Sequence, residues 1–156
     1  MKQLTKILAA AVLGCTIAAC GSKPAEAPAG TAGGDGQNPV MNVVGDYQAD
    51  RCSVHVEADG TDGARISVHW GSSASESTEW TMSGTFDTEN HSVYYQDGVK
   101  KNVVYGSDGK ITSEEEVYTG GHGTFIFNAE DNTLTWEEDQ EHIADGMVFE
   151  YISAAQ

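Results

Sequence analysis

The sequence predicts an all-β domain, an antiparallel up-and-down meander of about eight to ten short strands curling into a barrel. Three observations point there. From Met41 to Gln156 apolar and polar residues alternate with a period of two. Clusters of Gly, Asp, Asn and Ser interrupt that alternation every few residues. No proline occurs after Pro39, and no stretch carries a helical period.

Taken in order, Val44 to Asp50 forms the first strand. Cys52, Val54 and Val56 then share one face, with Ser53, His55 and Glu57 on the other. After the turn Asp59 to Gly63, Ala64, Ile66, Val68 and Trp70 alternate with Arg65, Ser67 and His69, which together read as a hairpin. Trp80, Met82, Gly84 and Phe86 lead to a turn at Asp87 to Asn90. Val93 to Gln96 precedes Asp97-Gly98, and Asn102 to Tyr105 precedes the turn Ser107 to Lys110. Thr112 to Thr119 ends at Gly120-Gly121, with Glu114, Glu115 and Glu116 exposed and Val117 buried. Gly123 to Asn128, Thr133 to Glu137 and Met147 to Ile152 complete the set. Short loops leave no residues for long crossovers, so neighbours in sequence pair in space. A barrel leaves no exposed edges and is preferred; a two-sheet sandwich is the alternative. The 116 residues from Met41 suffice for one domain.

The first forty residues are of another kind. Lys2 and Lys6 precede an apolar run, and small residues Ile17-Ala18-Ala19 lead to Cys20. The run from Ile7 to Ala19 is too short to cross a bilayer, which takes about 20 apolar residues. This start resembles a bacterial lipoprotein signal. The resemblance implies cleavage after Ala19, lipid on the sulfur of Cys20, and attachment to the outer side of a bacterial membrane, in the cell envelope. Residues 1–19 are then a signal peptide, 20–40 the lipidated cysteine with an Ala/Gly/Pro-rich tether, and 41–156 a single β-barrel domain. The nineteen tether residues Gly21 to Pro39 reach roughly 25 Å as a flexible chain. With Cys20 taken by lipid, Cys52 has no disulfide partner and is expected as a buried thiol.

The chain carries 24 Asp and Glu against 8 Lys and Arg, a net charge of −16. Loss of Lys2 and Lys6 makes it more acidic still. Such a surface repels nucleic acid and anionic lipid, whose phosphates need Lys and Arg to neutralise them, and suits cationic partners. No nucleic-acid partner is expected, and the barrel is expected as a monomer.

Chemistry-bearing constellations are few. Between Trp70 and Trp80 lies Gly71-Ser72-Ser73-Ala74-Ser75-Glu76-Ser77-Thr78. Indole faces beside hydroxyls and a carboxylate suit a small polar ligand such as a carbohydrate, by stacking and hydrogen bonding. Trp70, Ser72, Ser73, Ser75, Glu76 and Trp80 are therefore the candidate binding residues, although the same alternation places both tryptophans in the core. His55, His69, His91, His122 and His142 are scattered, and no nucleophile elbow occurs. No catalytic residue is assigned, and no enzyme activity is expected. Glu137 to Glu141 and Asp59-x-x-Asp62 match no calcium loop and read as solvated turns. No metal site and no cofactor are assigned.

Gly45-Asp46-Tyr47 is similar to the opening motif of lipocalin-like barrels, with Tyr in place of Trp. Trp70 to Glu76, Glu79-Trp80, Gly84-Thr85 and Leu134-Thr135-Trp136 resemble segments of small secreted bacterial β-proteins, a likeness that implies no activity. Gly84 and Gly123 on otherwise bulky inner faces hint at internal space. The leading expectation is a membrane-anchored, non-catalytic binding module for a small ligand. Two alternatives stand beside it. One is an acidic interaction or inhibitor protein binding a cationic protein or peptide, by analogy with lysozyme-inhibitor lipoproteins. The other is a structural surface lipoprotein.

Overall fold

A computed structural model describes residues 38–154. Within them eight antiparallel strands follow one another around a closed barrel, each paired with its neighbours in sequence and the last with the first. They are β1 (Gly45–Ala49), β2 (Cys52–Asp59), β3 (Gly63–Gly71), β4 (Glu76–Asp87), β5 (Ser92–Tyr105), β6 (Ile111–Asn128), β7 (Thr133–Glu138) and β8 (Val148–Ser153). The barrel expectation holds and the sandwich does not. The expected signal peptide, the lipidation site Cys20 and nearly all of the tether lie outside the described residues.

Two of the expected turns are instead irregularities within strands. Val93 to Gln96 and Asn102 to Tyr105 belong to one strand, β5, and Thr112 to Thr119 joins Gly123 to Asn128 in β6. The junctions face each other, for Gly98 pairs with Gly121, and the register shifts on both sides of that pair. A Cβ on Gly98 would come within 2.9 Å of the Tyr95 ring, and one on Gly121 within 2.7 Å of the Tyr118 ring. Glycine in these positions lets two long strands bend together without breaking the ladder.

The interior is filled. Trp80, Trp136, Phe125, Phe149, Leu134 and Ile66 are all almost completely buried. Phe125 stacks on Trp136 with ring centroids 5.4 Å apart, and Trp80 meets Trp136 edge-on at 5.4 Å. The Trp136 indole N–H donates to the Tyr95 hydroxyl at 3.0 Å. Gly84 and Gly123 provide no spare room. A Cβ on Gly84 would strike the Tyr94 carbonyl and the Val93 side chain; one on Gly123 would strike the Glu137 carbonyl and the Tyr95 hydroxyl. They are glycine because a neighbouring strand lies too close for a side chain.

Both barrel ends are covered. At one, a 3-10 turn over Pro39–Asn42 is capped by the Asn38 side chain, which accepts from the Val40 N–H at 3.0 Å. It buries Val40 and Val43 under the strands. The Asn38 amide donates to the Gly60 carbonyl at 2.8 Å, and the Tyr47 hydroxyl donates to the Val43 carbonyl at 2.9 Å. The folded unit therefore takes in Asn38 to Val40, which the sequence placed in the tether. At the other end the connection between β7 and β8 folds inward, burying Ala144 and half-burying Met147 against the core.

Candidate functional site

Strands β4, β5 and β6 are the long ones, and they run past the rim of the barrel. Thr78 pairs with Asn102, and Asn102 with Glu115, so these three side chains share one face of the extension. That face borders a groove of about 370 Å³ lined by Ser72, Glu76, Ser77, Thr78, Asn102, Val103, Val104 and Glu115. Among the described residues the groove is lined by hydroxyls, one amide and two carboxylates, with no cation. Such a lining accepts hydrogen bonds and attracts positive charge.

Of the six candidate residues, Ser72 and Glu76 border this groove. The loop that carries them is tied to itself. The Ser72 and Ser73 N–H groups donate to the Glu76 carbonyl at 2.9 and 3.0 Å, and the Ser73 hydroxyl donates to the Glu76 carboxylate at 3.3 Å. The Ser75 N–H donates to the Ser73 hydroxyl at 3.3 Å, and the Ser75 carbonyl accepts from the Tyr105 N–H at 2.8 Å.

The two tryptophans serve the core. Trp80 is 1 % exposed, and its indole N–H donates to the Tyr118 hydroxyl at 3.0 Å. The Lys100 ammonium sits 5.1 Å over its ring. Trp70 is half-buried, its ring centroid 6.3 Å from that of Trp80. Trp80 has no free face for a ligand, and Trp70 retains only part of one.

Beside the groove's end of the barrel lies a polar cluster built on Glu138 and Lys100. The sequence places Glu138 in a solvated acidic turn, but the structure buries it to 1 % exposure. Its carboxylate accepts from the N–H groups of Gln140, Glu141 and His142 at 2.9, 2.7 and 3.1 Å, and from the Tyr118 hydroxyl at 3.2 Å. Lys100 is also buried and pairs with Glu141. The signal for Glu138 was present, since it continues the inward alternation of Leu134 and Trp136. Asn102, Val103, Val104 and Glu115 carried no such signal, because only strand pairing brings them beside Ser72 and Glu76.

On the outer face, His55 lies between two carboxylates, Nδ1 at 2.6 Å from Asp46 and Nε2 at 3.2 Å from Glu57. The hydrogen bond to Asp46 chiefly raises the imidazole above its usual range, with Glu57 adding to it. The same bond, with one from the Ser153 hydroxyl at 2.9 Å, lowers Asp46. Among the described residues no group of three or more His, Cys, Asp or Glu is placed to hold a metal ion. Cys52 is free and buried, and burial pushes its thiol up to about 12.

Charge is the dominant property of the surface. Residues 38–154 contain 22 Asp and Glu and five Lys and Arg. Each of the five cations lies within 4.0 Å of a carboxylate of the chain: Arg51 with Asp50, Arg65 with Asp59, Lys100 with Glu141, Lys101 with Glu114, and Lys110 with Asp108.

Fold and site together define a small, side-chain-filled, eight-stranded antiparallel barrel with a strongly acidic surface and a polar groove at one rim. In comparison with known proteins, no family model, no curated protein and no solved structure matches the chain.

Proposed function

We propose that this chain is a non-catalytic acidic interaction protein of the bacterial cell envelope, held on a membrane by lipid at Cys20, that captures a cationic protein or peptide. The observation that carries this reading is the charge arrangement. The described residues bear a net charge of −17, and their five cations are each drawn to a carboxylate of the chain itself, leaving many carboxylates for a partner. A filled barrel interior directs recognition to the outer surface and the rim. Long-range attraction of this kind accelerates encounter and falls with ionic strength, because the screening length shrinks to about 8 Å at physiological salt. Titration of the full chain with a lysine-rich peptide and with lysozyme, at low and high salt, tests it. Binding that weakens steeply with salt supports the proposal. Absence of binding to both at low salt removes it.

The groove of about 370 Å³ favours a second reading, a small polar ligand such as a sugar held by Ser72, Glu76, Thr78 and Asn102. Removing the whole loop is a poor test, since Glu76, Ser77 and Thr78 belong to β4 and pair with Val104, Val103 and Asn102. Glu76→Gln and Asn102→Ala leave the ladder intact. A ligand found by screening should lose at least tenfold affinity in both variants, and unchanged affinity would place it elsewhere.

A further inference from the structure

The barrel closes around β1 to β8, but β6 is longer than its neighbour on one side. It pairs with β5 from Ile111 to Ile126, whereas β7 covers it only from Gly123 to Asn128. Among the described residues, the segment from Ile111 to Thr119 is thus laddered on its β5 side alone. Its side chains are exposed from Ile111 to Val117, including Val117 itself, which the sequence placed in the core. A strand with one bare edge presents a row of N–H and C=O groups to any extended chain that can reach it.

We infer that this edge of β6 is a docking strand for an extended, lysine- or arginine-bearing segment of another protein, which adds to the sheet as a further antiparallel or parallel strand. The inference rests on the cationic-partner reading and specifies how the partner binds. Main-chain hydrogen bonds would give such a complex its affinity, and alternate side chains its selectivity. Charge complementarity chooses the occupant. Glu114, Glu115 and Glu116 stand in the middle of the open edge. A second copy of this chain would bring three more carboxylates against them, and like charges directly opposite destabilise a pair. A cationic strand meets the opposite situation. Its two faces would also differ. On one, Lys101 already lies opposite Glu116 and 3.7 Å from Glu114. On the other, Glu115 borders the groove with Glu76, and no cation lines it. The partner's Lys or Arg residues belong on that groove-facing side.

The experiment compares two peptides on the full chain at low salt: an alternating lysine–threonine peptide, and the same peptide with every backbone nitrogen methylated, so that neither edge can donate. Charge is unchanged between them, but methylation removes the ladder donors. The expected result is at least tenfold weaker binding of the methylated peptide, with new amide-exchange protection confined to alternate residues between Ile111 and Thr119. Glu115→Gln should weaken the unmethylated peptide further than Glu116→Gln does. Equal affinity of the two peptides, or binding without protection on β6, overturns the edge inference and leaves the cationic-partner reading standing. No binding of either peptide at low salt overturns both. Protection of the β6 edge that appears with rising protein concentration alone would assign the edge to a second copy and overturn the inference.

Discussion

The Trp80 indole nitrogen lies 3.0 Å from the Tyr118 hydroxyl oxygen, joining β4 to β6 across the barrel end. The same hydroxyl reaches the Glu138 carboxylate at 3.2 Å, so one phenol links the aromatic core to the connection that closes the barrel. Both phenol contacts are made at a half-buried position, where burial pushes the Tyr118 hydroxyl up to about 12. Tyr118→Phe keeps the ring and removes the oxygen, leaving the Trp80 N–H without its acceptor. A loss of about 1–3 kcal/mol is expected from an orphaned buried donor. Chemical denaturation measures it, and a variant as stable as the parent would show that water replaces the phenol.

Glu138 organises the turn after β7 by accepting three successive backbone N–H groups. Glu138→Ala should cost roughly 2–4 kcal/mol, since those donors lose a charged acceptor together. Glu138→Gln keeps one carbonyl oxygen and should fall between the two. Exchange of the Gln140, Glu141 and His142 amides should accelerate in both variants. Unchanged exchange would mean the carboxylate does not hold the turn.

Cys52 should be inert in the native protein. It is 1 % exposed, and at a thiol pKa of about 12 the reactive thiolate is scarce at neutral pH. Site-resolved mass spectrometry should find Cys52 labelled by a thiol reagent only as fast as the barrel unfolds. Prompt labelling in native buffer would contradict its burial.

Stability should carry a pH signature from the His55–Asp46 pair. His55 is raised above its ordinary 6.5, so its contribution is fully present below that value and is lost as pH rises through the folded-state pKa. Asp46 is lowered below its ordinary 3.8, so its contribution is present above that value and is lost as pH falls through its folded-state pKa. The pair therefore helps most between about pH 4 and 6.5. Both side chains are more than a third exposed, which limits the gain to about 0.2–1 kcal/mol. The difference in unfolding free energy between the parent and His55→Gln should be largest in that window and fade toward pH 9. A difference that stays flat from pH 5 to 9 would assign the effect to packing instead.

Much of the fold was legible from local chemistry. Val54 opposite Val68 and Val56 opposite Ile66 follow directly from alternation on either side of the Asp59–Gly63 turn. Asp97-Gly98 and Gly120-Gly121 misled, because glycine beside a polar residue signals a turn and a bulge equally well. Only the partner strand separates the two readings, and here each glycine is the other's partner. The candidate site was legible in part. Ser72 and Glu76 are on the groove, but the tryptophans beside them were claimed by the core, where an indole gains most from burial.

By itself the sequence determined the all-β class, the sequential order of strands, the inward alternation of Cys52, Val54 and Val56 against Ala64, Ile66 and Val68, and the acidic surface. These depend on alternation, turn composition and charge, which act within a few residues or on the chain as a whole. The tertiary structure alone decided that β5 and β6 bend without breaking, that Lys100 is buried, and that β6 outruns β7 to leave a bare acidic edge. Each of those depends on which strand lies alongside and where its pairing stops. Those are relations between residues far apart in the chain, and local pattern carries no record of them.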